Sequence, residues 1–123
     1  MHTFPKEEKL KSRKMISKIF SDGLVVKSYP IRIQFIFHDE EESPFCMMGV
    51  SVPKRNFKSA VARNQIKRKI REAYRLNKVN FINKLKESNQ KIAIMVIFGG
   101  KEKLTFKEIE HHLKKGLDKV RIN

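Results

Sequence analysis

The segment ARNQIKRKIREAYR, residues 62–75, constrains the fold more than any other part of the chain. Its apolar residues recur every three or four positions, which is the period of a helix with one buried face. The predicted core positions are Ala62, Ile66, Ile70, Ala73 and Tyr74. The segment must therefore form a surface helix, with one side in a hydrophobic core and the adjacent side open to solvent or to a partner.

The side next to this core stripe consists almost entirely of cations. The segment holds six basic residues and one acid, Glu72. Like charges four residues apart, such as Lys67–Arg71 and Arg71–Arg75, each destabilise an isolated helix by roughly 0.2–0.5 kcal/mol. A polyphosphate would remove that repulsion and release counterions, and arginine adds bidentate contacts to phosphate. The pattern favours a dock for nucleic acid; a solvated basic face is the alternative.

The overall charge agrees with a polyanionic partner. The chain has 123 residues and a net charge of +15, and 40% of its residues are hydrophobic, enough for one core. An anionic membrane is a weaker candidate, because no helix combines a basic face with Trp or bulky Leu. The sequence lacks an apolar run of about 18 residues and an N-terminal signal sequence, and it has one cysteine, Cys46. We therefore expect a cytoplasmic protein with a single domain over residues 1–123.

The remaining periodicities predict an α+β domain of order α-β-β-β-α-β-α. Helices are predicted at about Glu8–Asp22, with Gly23 as the C-terminal stop, at Ala60–Leu76 after Ser59 as N-cap, and from Thr105 onward. Strands are predicted at 24–28, 31–38, 45–52 and 91–98, and the acidic stretch HDEEES, residues 38–43, is placed in a hairpin loop between the second and third strands.

The strand patterns also predict how the sheet is covered. KIAIMVIF, residues 91–98, is apolar throughout and fits the middle of the sheet, whereas IRIQFIFH and FCMMGVSV each have one apolar face. We expect helices on one face and an open second face. Arg32, Gln34, Ile36, Gly49 and Ser51 project from the open face.

Two neighbouring motifs resemble a known family. MGVSVPKR followed by SAVARNQIKRKIREAYR is similar to the signature of the bacterial ribonuclease P protein component, in which a glycine-containing strand ends in Ser-Val-x-Lys-Lys/Arg and leads to a helix with Arg-Asn-Arg-x-Lys-Arg. KLKSRKMISKIFSDG resembles the first helix of that family. The resemblance extends over nearly the whole chain.

The resemblance implies an accessory subunit that binds a catalytic RNA and the 5′ leader of precursor tRNA, while the RNA removes the leader with metal ions. The basic helix would bind the RNA subunit through Arg63, Asn64, Gln65, Lys67, Arg68, Arg71 and Arg75. A cleft between the first helix and the open sheet face would hold the leader through Ile16, Phe20, Arg32, Gln34, Ile36, Ser51, Lys54 and Arg55. The fold would resemble domain 2 of a small-subunit ribosomal protein, with a left-handed βαβ crossover.

The resemblance also implies no catalytic residue, metal ligand or tightly bound cofactor in the protein, since Mg²⁺ would act in the RNA holoenzyme. No membrane and no obligate protein partner are expected. Two positions depart from the family pattern: Gln65 replaces a cation and Ile16 replaces an aromatic.

Several alternatives stay open from the residues alone. Phe20 fits a core aromatic as well as a leader contact, and Arg32 fits a solvated charge. A general RNA-binding protein accounts for the charge and the α+β order. A metal-dependent nuclease acting alone would use the acidic residues 39–42, although the histidines, including adjacent His111 and His112, suggest no catalytic pair.

Overall fold

The structure is a computed structural model and describes residues 8–122. It confirms the α+β class and the predicted order of elements. The helices and strands are α1 (Arg13–Asp22), β1 (Leu24–Ser28), β2 (Ile31–His38), β3 (Cys46–Ser51), α2 (Ala60–Glu87), β4 (Lys91–Phe98) and α3 (Phe106–Lys119).

The four strands form one mixed sheet in the order β1-β2-β4-β3. Strand β4 pairs antiparallel with β2 and parallel with β3. The predicted hairpin between β2 and β3 is therefore wrong, because β4 lies between them. The interior of β4 is buried on both faces, so this strand gains most from a neighbour on each edge. Helix α2 is the crossover that makes β3 and β4 parallel; its left-handed sense stays a prediction of the resemblance.

The helices divide between the two faces of the sheet. The larger core includes Ile66 and Tyr74 of α2, Leu113 of α3 and one face of β2 and β4. A smaller core on the other face joins Ile19 of α1 to Ala93, Met95 and Ile97 of β4. The expectation of helices on one face is thus correct for α2 and α3 only. Side chains alternate between the two faces along β4, and its odd-numbered residues from Ala93 to Ile97 are apolar as well. Helix α1 packs on the second face because burial of these residues is favourable.

Helix α1 begins five residues later than predicted. Lys9 forms an isolated bridge with Met48 of β3, and the Leu10 amide donates to the Met48 carbonyl at 3.1 Å. The chain is therefore extended here, and the hydroxyl of Ser12 caps α1 by accepting from the amide of Met15. Burial of Leu10 in the smaller core outweighs the helical period of this stretch.

Gly23 ends α1 as predicted, and its backbone is extended. Its φ is −70°, and its amide donates to the carbonyl of Ile19 at 2.8 Å. A Cβ at this position would lie 2.2 Å from the same carbonyl oxygen. Close backbone approach is therefore the reason for the glycine.

Helix α2 continues eleven residues beyond the predicted end at Leu76. Phe81 and Leu85 extend its buried stripe in the larger core, so packing compensates for the asparagines in this segment. The predicted caps are confirmed. Ser59 accepts from the amide of Ala62, and Thr105 and Glu108 form a capping box at the start of α3.

Candidate nucleic-acid interface

The first candidate surface is the basic helix face, which we define as Arg63, Asn64, Gln65, Lys67, Arg68, Arg71 and Arg75. All the predicted core positions of this segment are buried, which fixes the rotation of α2 and directs the basic helix face outward. Asn64, Gln65, Arg68 and Arg71 are exposed, and the other three residues are half-buried. Among residues 8–122, no carboxylate lies within ion-pair distance of Lys67, Arg68 or Arg71. The centre of the face is therefore an uncompensated positive charge.

Arg63 at the start of this face also contacts its own chain. Its Nη1 donates to the carbonyl oxygens of Phe57 at 2.7 Å and Lys58 at 2.9 Å. These bonds tie the loop after β3 to the first turn of α2. The sequence analysis missed this role, because the bonded carbonyls are backbone groups of a loop whose path depends on the fold.

Arg75 at the other end of the face is paired with Glu72. The guanidinium donates from Nε to a Glu72 carboxylate oxygen at 3.1 Å, and Nη2 pairs with the second oxygen. These hydrogen bonds, in which the Glu72 carboxylate accepts, raise the pKa of Arg75. Glu72 and Arg75 are three residues apart on the helix, so they are neighbours and their long side chains meet. The positive charge is therefore concentrated on Lys67, Arg68 and Arg71.

The loop between β3 and α2 presents Lys54 and Arg55. The amide of Asn56 donates to the carbonyl of Pro53 at 3.1 Å, which closes a turn with Lys54 and Arg55 at its centre. Val52 before the turn and Phe57 after it are both buried. The loop is anchored at both ends, so both cations extend from it into solvent.

The second candidate surface is the sheet cleft, which lies beside α1 on the face opposite α2 and α3. Residues that face each other in neighbouring strands point to the same side of a sheet. The register forms one row from Arg32 through Ile97 to Ser51. The next rows run from Gln34 through Met95 to Gly49 and from Ile36 through Ala93 to Met47. The structure thus brings together the sheet residues that we predicted for the cleft.

The α1 side of the cleft is partly apolar. Ile16 and Ile36 are half-buried against the smaller core, and Phe20 is 48% exposed. The structure does not place Phe20 in the core. Its ring lies at the surface of α1, one helical turn after Ile16. Arg32 is exposed as well, so a flat apolar surface and a cation stand on one side of the protein.

Two further residues at this end of the sheet were missed by the sequence analysis. Lys27 of β1 pairs with Arg32 and extends its row to the sheet edge. Tyr29 in the turn between β1 and β2 is 75% exposed. The sequence shows a lysine, Lys27, and an aromatic residue before a proline, Tyr29. Neither could be assigned to the face of Arg32, because that assignment requires the pairing register of β1.

Comparison with known proteins identifies the family. A model of the Ribonuclease P family matches residues 4–121. The chain belongs to the ribonuclease P protein family. The ribonuclease P protein component of Porphyromonas gingivalis is 36% identical, covering 94% of this chain and 84% of the relative. That of Dictyoglomus turgidum is 33% identical, covering 99% of this chain and 96% of the relative.

Solved structures of ribonuclease P proteins share the fold. The Staphylococcus aureus protein superposes with a TM-score of 0.73 at 23% identity, covering 94% of this chain and 96% of that chain. The Thermotoga maritima protein superposes with a TM-score of 0.70 at 22% identity, covering 93% and 98%. The four-stranded mixed sheet with three helices is therefore the architecture of ribonuclease P proteins.

The cysteine, one tyrosine and two histidines of this ribonuclease P family protein are at least partly buried or connect its structural elements. Burial raises the pKa of the Cys46 thiol to about 12, and burial is also the main cause that raises the pKa of Tyr74. Burial lowers the pKa of His38, whose Nδ1 accepts from the amide of Glu40 at 3.2 Å. His112 Nδ1 lies 3.0 Å from the hydroxyl of Ser28, so this histidine connects α3 to the end of β1.

The loop after β2 binds the side chain of Lys91 through its backbone. Lys91 Nζ donates to the backbone carbonyls of Glu40 at 2.6 Å and Glu41 at 2.8 Å. Within the described range, no group of three or more His, Cys, Asp or Glu side chains could hold a metal ion. None of the helices between residues 8 and 122 is long and apolar enough to cross a membrane.

Proposed function

We propose that this chain is the protein subunit of a ribonuclease P ribonucleoprotein that removes the 5′ leader of precursor tRNA. The proposal is carried by the uncompensated cations Lys67, Arg68 and Arg71, which lie along one side of α2 in a chain of this family. A folded RNA supplies the phosphates that neutralise such a stripe, and counterion release drives the association. The basic helix face binds the RNA subunit.

The sheet cleft binds the single-stranded leader. Phe20 offers a ring face, Ile16 and Ile36 offer apolar surface, and Arg32 with Lys54 and Arg55 supplies cations. Single-stranded nucleic acids bind to this mixture, because bases stack on flat side chains while cations follow the backbone. Ser51 is a small residue in the row of Arg32 and leaves room for the strand at that end of the cleft, whereas the side chains of Met95 and Leu10 fill the space above Gly49. One protein thereby holds the RNA subunit on one surface and the substrate on another.

The protein contributes binding and positioning, and the RNA subunit carries the chemistry. Hydrolysis of a phosphodiester with Mg²⁺ requires metal ions that activate water and stabilise the leaving oxygen. In this proposal those ions are bound by the RNA, and no side chain of the protein is a catalytic residue. A cytoplasmic location follows from the RNA partners.

Reconstitution tests the proposal. The protein is mixed with a bacterial ribonuclease P RNA and a precursor tRNA at low Mg²⁺, where the RNA alone is slow, and leader release is measured with and without protein. Strong stimulation is the expected result. Tight RNA binding without stimulation, and with equal affinity for precursor and mature tRNA, would instead identify a general RNA-binding protein.

A second arm addresses cleavage by the protein alone. Protein and precursor tRNA are incubated with Mg²⁺ in the absence of the RNA subunit. We expect no leader release. Cleavage under these conditions would contradict the assignment of the chemistry to the RNA. Salt dependence is expected for every RNA-binding alternative and so does not discriminate between them.

A further inference from the structure

A recess of about 260 Å³ lies beyond the end of the sheet cleft. It is bounded by the turn between β1 and β2, the end of β4 and the loop after β3. Arg32 and Ile97 belong both to this recess and to the first row of the cleft, so the two are continuous. The recess is slightly smaller than the roughly 300–1,000 Å³ of pockets for drug-sized ligands, which suits a single nucleotide.

The wall of the recess is positively charged. Lys27, Arg32 and Arg55 line it from three different elements, and Asn56 adds an amide group. No acidic residue is among the described side chains that line it. Within residues 8–122 none of the three cations lies within ion-pair distance of a carboxylate. Such a concave group of cations attracts a phosphate, and arginine can bind it through two parallel hydrogen bonds.

An exposed aromatic ring stands at the edge of the recess on a well-anchored turn. Tyr29 is 75% exposed, whereas the adjacent Pro30 is buried. The Pro30 carbonyl accepts from the Gly99 amide at 2.7 Å, and Ser28 is hydrogen-bonded to His112. The Lys27 carbonyl accepts from Nζ of Lys119. The segment on both sides of Tyr29 is therefore held by α3 and by Gly99, the residue after β4, which fixes the turn that presents the exposed ring.

We propose that this recess is a subsite for one nucleotide of the single-stranded leader, whose base stacks on Tyr29 and whose phosphate is bound by Arg32, Arg55 and Lys27. The inference rests on the proposed function and extends the leader path beyond the sheet cleft. A base offers a ring face to Tyr29 irrespective of its identity, so the subsite tolerates any sequence. It makes affinity depend on leader length.

The RNA subunit offers the same chemistry, but the position of the recess favours the leader. Arg32 and Lys27 project from the sheet face that carries α1, and α2 with the basic helix face packs on the opposite side. A strand in the cleft reaches Tyr29 without leaving the sheet surface. We therefore assign the bound nucleotide to the leader and not to the RNA subunit.

The test uses the reconstituted holoenzyme and precursor tRNAs whose leaders are lengthened one nucleotide at a time. We expect Tyr29→Ala to match wild type with short leaders and to lose at least about fivefold in affinity once the leader reaches the recess. Tyr29→Phe keeps the ring and should retain the affinity. Leu24→Ala, which removes an exposed apolar side chain at the start of β1, should bind every leader as wild type does.

An abasic nucleotide identifies the contact directly. It is placed at the leader position at which the affinity of Tyr29→Ala first falls below that of wild type. There it should weaken binding to the wild-type holoenzyme by the same factor as the Tyr29→Ala substitution. It should cause no further loss with Tyr29→Ala, because the base and the ring form one interaction. Circular dichroism and the thermal midpoint confirm that each variant is folded.

Three results would overturn the inference. They are a Tyr29→Ala loss that is equal at all leader lengths, a Tyr29→Phe loss as large as that of Tyr29→Ala, and a loss of affinity for the RNA subunit alone. A wild-type holoenzyme whose affinity does not change with leader length would contradict the proposed leader cleft itself, and the inference with it. The two failures are thus distinguishable.

Discussion

The guanidinium of Arg63 donates a hydrogen bond of 2.7 Å to the carbonyl oxygen of Phe57, six residues earlier in the chain. Through this bond and the one to Lys58, the first residue of the basic helix face also fixes the loop that presents Lys54 and Arg55. One side chain therefore connects the basic helix face to the loop that carries two of the cations predicted for the leader cleft.

Arg63→Ala should loosen this loop as well as remove a cation. Hydrogen bonds to a charged group stabilise a fold by about 1.5–3 kcal/mol, so we expect a loss of unfolding free energy in this range and faster amide exchange at Asn56. Denaturant titration and hydrogen exchange measure both. Arg68→Ala is the matched control, since the described residues give Arg68 no hydrogen-bond partner. Equal stability of the two variants would contradict a structural role for the hydrogen bonds between Arg63 and the loop.

Arg68→Ala should weaken binding to the RNA subunit while leaving stability unchanged. A bidentate contact from an exposed arginine to phosphate or a base edge is worth about 1–3 kcal/mol. Binding is measured by titration of labelled RNA subunit at fixed salt, with Lys84→Ala near the other end of α2 as the control. A loss as large for Lys84→Ala would show that net charge matters and the position on the helix does not.

Phe20→Ala should lower the affinity of the holoenzyme for precursor tRNA and leave assembly with the RNA subunit intact. The ring is half-exposed on α1, the helix that borders the cleft, and base stacking on an aromatic side chain contributes about 1–3 kcal/mol. The readout is the ratio of affinities for precursor and mature tRNA. Val79→Ala, exposed on α2 far from the cleft, serves as the control. An unchanged ratio for Phe20→Ala would remove this residue from the leader site.

The capping box of α3 should make stability depend on pH. The amide and hydroxyl of Thr105 donate to the Glu108 carboxylate and lower its pKa. Because the folded-state pKa is depressed, this stabilisation is present above the unfolded pKa of about 4.3 and is lost as the pH falls through the folded-state value. The advantage of wild type over Glu108→Gln should therefore be larger at pH 7 than at pH 3.

Denaturant titration of both proteins at the two pH values measures this advantage. Thr105→Ala removes the N-cap itself and should cost about 1 kcal/mol at pH 7. A difference between wild type and Glu108→Gln that stays constant with pH would contradict the role of the carboxylate charge.

Local periodicity determined which residues face the core along β2, β3 and the first half of α2. Alternation has a period of two in a strand and helical stripes a period of 3.6, so each face follows from the sequence wherever one side is apolar. The caps Ser59 and Thr105 were predictable for the same reason, since a cap bonds to an amide three residues away. The motif around Asn64 and Arg68 was sufficient for the family.

The tertiary structure decided everything that depends on residues distant in the chain. It placed β4 between β2 and β3, because a strand that is apolar on both faces is most stable with a neighbour at each edge. It extended α2 to Glu87 through the burial of Phe81 and Leu85, and it shortened α1 by drawing Leu10 onto β3. Cross-strand register alone brought Lys27 and Arg32 together beside Tyr29, since no period within the sequence relates one strand to the next.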